Sequence, residues 1–151
     1  MPRVRFNHME LTFPRGTLDK QLRTDIDAFW CGIFGWESME VDLLHQTCHL
    51  LRPDDGQFIL LAESDNPMQS PGYDHLGLLC ETRDEVDELL EQCHRYQEKD
   101  DRLRLKEYKD LKSDRLVVHA FYVKYLLPIF FDVQCMEWPP GGGPAQRWRY
   151  Q

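Results

Sequence analysis

The sequence predicts an α+β fold made of two paired β-α-β-β-β modules whose strands form an open, cup-shaped, barrel-like sheet. Three observations carry this expectation. A strand–helix–strand–strand–strand pattern over residues 4–64 recurs over residues 72–138. Asn7-His8-Met9-Glu10-Leu11 aligns with Asp74-His75-Leu76-Gly77-Leu78 at an offset of 67, and Phe58-Ile59-Leu60-Leu61 with Phe130-Phe131-Asp132-Val133 at an offset of 72. The chain has 151 residues, about one domain, and each module's sheet is too small to bury its own face, so the two must pack side by side. The concave surface between them is the natural ligand site.

Each element follows from its local pattern. In residues 5–13, Phe6, His8, Glu10 and Thr12 alternate with Asn7, Met9, Leu11 and Phe13, the two faces of a strand. Beyond Pro14 and Gly16, Leu22, Ile26, Phe29, Trp30, Ile33 and Phe34 recur at helical spacing, and Gly35 ends the helix. MEVD, QTCHLLRP and QFILLAES read as strands, the last two joined across Asp54, Asp55 and Gly56. NPMQSPG connects the modules.

The second module opens with the strand YDHLGLLCE. A Thr82-x-x-Glu85 capping box then starts a helix carrying Val86, Leu89, Leu90 and Cys93 on one side. Three strands follow, at about residues 103–108, 115–123 and 129–136. Residues 139–151 form a Pro/Gly-rich tail expected to be disordered, with docking of Trp148 on a partner or over the cup as the alternative.

Composition narrows the function classes. The formal charge is −8, which repels phosphate backbones and argues against nucleic-acid binding. The most apolar window, VVHAFYVKYLLPIFF, carries His119, Lys124 and Pro128, so no membrane span is expected. MPRVRFNHMELTF lacks a signal peptide's apolar run, and a cytoplasmic protein is expected. Five cysteines without CxxC spacing read as buried free thiols.

The repeat, the histidine near the start of each module and the FxxxxxGW pattern from Phe29 to Trp36 together resemble the vicinal oxygen chelate superfamily. That superfamily includes glyoxalase I, extradiol ring-cleavage dioxygenases and bleomycin-resistance proteins, and the resemblance spans about residues 4–136. It implies a divalent metal in the cup, held by residues of the first and last strand of each module. Those positions carry His8, His75 and Asp132, with Leu60 at the fourth. Aspartate stands where the family usually has glutamate. Two imidazoles and one carboxylate suit iron(II) or manganese(II), with zinc, nickel and cobalt as other candidate ions. Tyr122, ten residues before Asp132, matches the tyrosine of ring-cleavage enzymes and is the candidate catalytic residue.

The remaining candidates are weaker. Glu10 shares the His8 face, whereas Glu63 and Glu137 fall at odd spacing and are expected to be solvated. His119 is expected on the face opposite Tyr122, and His45, His49 and His94 at the surface or in loops. Apolar Leu126, Leu127 and Pro128, with Trp148, point to a homodimer. The expected function is a metal-dependent enzyme of the glyoxalase or extradiol dioxygenase type acting on a small molecule that chelates the ion through vicinal oxygens. The alternative is a metal-free, bleomycin-resistance-like protein binding a small, cationic molecule in an acidic cup.

Overall fold

A computed structural model describes residues 1–2 and 4–144. The tail residues Arg147, Trp148, Arg149 and Tyr150 lie outside the described residues. Module 1 runs β1 (His8–Pro14), α1 (Lys20–Phe34), β2 (Glu37–Leu43), β3 (Gln46–Asp54), β4 (Gln57–Ser64). Module 2 runs β5 (His75–Leu79), α2 (Arg83–Gln97), β6 (Arg104–Glu107), β7 (Leu111–Lys112), β8 (Val117–Lys124), β9 (Phe130–Glu137). The two-residue β7, pairing with β8, is an element the sequence pattern does not announce.

The strands make two sheets, ordered β1-β4-β3-β2 and β5-β9-β8-β6. The repeat alignment reappears as identical pairing. β1 runs parallel to β4 with His8 beside Phe58 and Glu10 beside Leu60; β5 runs parallel to β9 with His75 beside Phe130 and Gly77 beside Asp132. Residues adjacent across a ladder share a face. His8, Glu10, Phe58 and Leu60 therefore lie on one face of the first sheet, and His75, Phe130, Asp132 and Tyr122 on one face of the second.

The opposite faces build the core against the helices. Leu11, Phe13, Ile59 and Leu61 from the first sheet and Phe121, Val123, Phe131 and Val133 from the second are buried with Ile26, Phe29 and Trp30 of α1 and Val86 and Cys93 of α2. Trp30 joins the modules: its ring lies 4.6 Å from Phe131 and 5.1 Å from Trp36, and its indole N–H donates to the Tyr125 carbonyl at 3.2 Å. Both helices are closed as their sequences require. Asp19 accepts from the Leu22 N–H, and Gly35, at φ 68°, sends its N–H to the Cys31 carbonyl. Thr82 and Glu85 form the reciprocal capping box. Among the described residues no helix is long and apolar enough to cross a membrane.

Three expectations are corrected. His49 is 2% exposed, not a surface residue: its Nε2 lies 2.6 Å from Asp27 Oδ1 of α1, a partner 22 residues away. Leu127 is buried and Leu126 packs against the core, so this connection is part of the interior rather than an exposed patch. Glu63 is half-buried and held, accepting the Leu18 N–H at 2.9 Å, whereas Glu137 is exposed as expected and pairs with Arg83.

Candidate functional site

Strand β9 brings Asp132 to the open face of the second sheet, where it is 7% exposed. A carboxylate buried this deeply needs compensation. The Tyr108 hydroxyl donates to Oδ1 at 3.0 Å, and Oδ2 lies 3.8 Å from His75 Nε2. Burial pushes the Asp132 carboxyl above its ordinary value, and the Tyr108 hydrogen bond and His75 only partly oppose this. Asp132 has no Lys or Arg partner among the described residues.

His75 is oriented by its other nitrogen. Nδ1–H donates to the Tyr73 carbonyl at 2.8 Å, which leaves Nε2 as the nitrogen facing Asp132. His8 repeats the arrangement. Its Nδ1–H donates to Asn7 Oδ1 at 2.7 Å, the Asn7 amide being fixed by donation to the Gly56 carbonyl, and the ring stacks on Phe58 at 4.6 Å. In both rings Nε2 is the nitrogen left for a ligand, the arrangement a metal-binding histidine adopts.

Tyr122 stands beside Asp132 in the β8–β9 ladder, with its ring 4.9 Å from His75 and 5.2 Å from Tyr108. Burial first, and then the Asp132 charge, raises its phenol. Tyr108 is raised for the same two reasons together with its hydrogen bond to Asp132. Both phenols are proton donors at neutral pH. Phe58 and Leu60 line the corresponding face of the first sheet.

The structure brings His75, Asp132 and Tyr122 together. His8 sits on the other sheet, and among the described residues no three His, Cys, Asp or Glu side chains gather closely enough to hold a metal ion. The donor set fits a divalent ion in kind, with two neutral imidazole nitrogens and a carboxylate, while one chain assembles only the His75–Asp132 half. His119 is on the opposite face, as its spacing predicts, between Asp110 and Asp87.

Sequence reasoning missed four residues here. Tyr108 follows β6 in a stretch without periodicity. Arg104, Lys106 and Lys124 reach this face through the β6–β8 register. They give the second sheet's open face three cations, where net charge alone leads to the expectation of an acidic cup. A separate cavity of about 660 Å³ between the modules is lined largely by apolar groups such as Met9, Phe34, Trp36 and Leu76 and does not include His75, Asp132 or Tyr122.

Comparison with solved structures decides the fold. A putative glyoxalase family protein from Bacillus anthracis superposes with a TM-score of 0.59 at 14% identity, covering 89% of this chain and 97% of that one. The chain has the glyoxalase fold. The fosfomycin resistance protein FosX from Listeria monocytogenes gives 0.62 at 16% identity over 87% and 91% of the two chains. A glyoxylase/bleomycin resistance protein/dioxygenase domain from Frankia sp. EAN1pec gives 0.57 at 16% identity over 93% and 96%. No family model and no curated protein matches the sequence. In the glyoxalase fold seen here, the two parallel edge strands β1 and β5 each present one histidine on the open face of its sheet.

Proposed function

We propose that this protein is a metal-dependent enzyme acting on a small molecule that binds the ion through neighbouring oxygens. One observation carries the reading: at equivalent positions of the repeat, His8 and His75 are both pinned through Nδ1, which leaves Nε2 for a ligand, and His75 adjoins a buried carboxylate with no Lys or Arg partner among the described residues. His75, Asp132 and the His8 of a second copy would hold iron(II) or manganese(II), and the ion would act as a Lewis acid on bound substrate oxygens. Homodimerisation is part of the proposal. Met39 on the first sheet's open face, and Leu79, Leu111 and Met136 on the second's, are exposed apolar groups of the kind a partner covers.

The chain's own residues have defined parts. Tyr108 orients the Asp132 carboxylate, and the Tyr73 carbonyl fixes the His75 tautomer. Tyr122 donates its phenolic proton to charge developing on the substrate. Ring cleavage and glyoxalase-like proton transfer are the two chemistries to screen. Elemental analysis of protein purified without chelator tests the reading: near-stoichiometric metal, lost in His75→Ala and in Asp132→Ala, supports it. Metal-free protein that cannot be reconstituted and whose Tm does not respond to added ions overturns it.

A metal-free small-molecule binder is the second reading, favoured by the absence of a three-donor cluster among the described residues of one chain. Such a protein would keep its Tm in chelator.

A further inference from the structure

Three cations line the open face of the second sheet. Arg104 pairs with Lys124, and Lys106 with Tyr122, which in turn pairs with Asp132. Register therefore puts Arg104, Lys106 and Lys124 on the same face as His75 and Tyr122. Arg104 and Lys106 are two positions apart on β6, roughly 7 Å, and Arg104 and Lys124 are direct neighbours about 5 Å apart.

Their contacts set them apart from other cations of the chain. Arg83 and Arg102 each meet two carboxylates, whereas Arg104, Lys106 and Lys124 form no ion pair among the described residues. They lie over aromatic rings instead. Lys106 Nζ is 3.9 Å from the Tyr73 ring centre, and the Arg104 guanidinium and Lys124 Nζ are 5.1 Å and 5.4 Å from that of Phe130. Burial, with the Arg104 charge second, lowers the Lys124 ammonium. Three like charges converge here in a protein of net charge −8 that offers acids in excess. Arg104 and Lys124 also line a hollow of about 320 Å³ with Thr12 and Met68.

Of the rings beside them Phe130 is buried, and Tyr73 is open to a flat ligand. Tyr73 is exposed, and its ring is near-parallel to that of Tyr122, with centres 6.0 Å apart. Cations without counter-ions beside an exposed tyrosine ring match a ligand carrying an acid group on a planar body. We propose that this face recognises a small planar organic anion, its carboxylate held by Arg104, Lys106 and Lys124 and its flat portion against Tyr73 and Tyr122. The inference rests on the cup being the substrate site and names the substrate class.

The test is calorimetric titration of the full chain, in chelator, with benzoate, its neutral isostere benzamide and inorganic phosphate. Benzoate should bind about tenfold more tightly than benzamide, weaken as salt rises, and lose about tenfold in Lys106→Gln and in Arg104→Gln. Lys20→Gln, on α1, is the control and should bind as wild type. Equal affinity for benzoate and benzamide, no binding of either, or unchanged binding in both cup variants overturns the proposal. Phosphate binding as tightly as benzoate overturns its planar half. Because chelator is present throughout, metal loading measured separately judges the enzyme reading. Stoichiometric metal without benzoate binding sinks this inference alone, and benzoate binding without metal sinks only the metal.

Discussion

His75 Nε2 lies 3.8 Å from Asp132 Oδ2, while the other oxygen of that carboxylate accepts the Tyr108 hydroxyl. Asp132 is therefore aimed but not neutralised. With its native carboxyl raised by burial, the folded protein keeps this proton to higher pH than the unfolded chain does. The linkage has a definite sign: Asp132 costs stability as pH rises from the ordinary carboxylate range, about 4, through the raised native value.

Asp132→Asn removes that cost and keeps an oxygen for Tyr108. In chelator at pH 7 the variant should be more stable than wild type by about 1 kcal/mol, a Tm rise of about 2–4 °C. The difference should vanish at pH 3 to 4. Denaturation curves across this range check it, and a variant less stable at pH 7 than at low pH relative to wild type would contradict it. With a divalent ion present the order should reverse, because only wild type gains from binding.

His119 titrates in the opposite sense. Burial lowers its imidazole, but hydrogen bonds to Asp110 at 2.8 Å and Asp87 at 2.6 Å outweigh burial and the neighbouring Arg83, and the net shift is upward. Its contribution is fully present below about pH 6.5, the unfolded value, and is lost as pH rises through the native value. Urea unfolding from pH 6 to pH 9 should show stability falling in wild type and a shallower fall in His119→Gln. Parallel profiles would show that the ion-pair network, not this titration, sets the slope.

Trp30 carries the coupling between modules. It is fully buried, contacts Phe131 and Trp36, and spends its only donor on Tyr125. Trp30→Ala should cost about 3–5 kcal/mol by cavity formation. Thr82→Ala, which removes one helix cap, should cost only about 1 kcal/mol. Chemical denaturation of the two variants side by side measures both, and a Trp30 loss no larger than the Thr82 loss would refute the coupling role.

The fold was legible because its signals are local and occur twice. Alternation on β1 and β5, helical spacing on α1 and α2, and the two caps each occupy a single short stretch. The indexed repeat puts Leu60 and Asp132 at equivalent positions, and the β1–β4 and β5–β9 ladders give them the same register. What stayed hidden depends on distant partners. His49 looks solvent-facing in QTCHLLRP until Asp27 is folded over it. Leu44 and His45 turn the β2–β3 hairpin at φ 51° and 63°, conformations whose usual Asn-Gly signature is missing. Tyr108 meets Asp132 across 24 residues, and the basic face arises only from the antiparallel register of β6 and β8. Net charge is a sum, and it conceals a local excess of the opposite sign.

The placement of His8 yields the last prediction. His8 and His75 stand on the edge strands of two separate sheets, so a site shared between two copies takes His8 from one and His75 with Asp132 from the other. Neither His8→Ala nor Asp132→Ala homodimers should then retain metal. Mixed after mild unfolding and refolding, the two variants form heterodimers in which one of the two sites has all three donors and the other lacks both mutated ones. Random pairing gives about half heterodimers, so metal content should recover to about a quarter of wild type. A site built within one chain gives no recovery, since every chain in the mixture lacks one donor. Recovery of the same fraction in a His75→Ala and His8→Ala mixture, with none between His75→Ala and Asp132→Ala, assigns the latter two to one chain's half of the site.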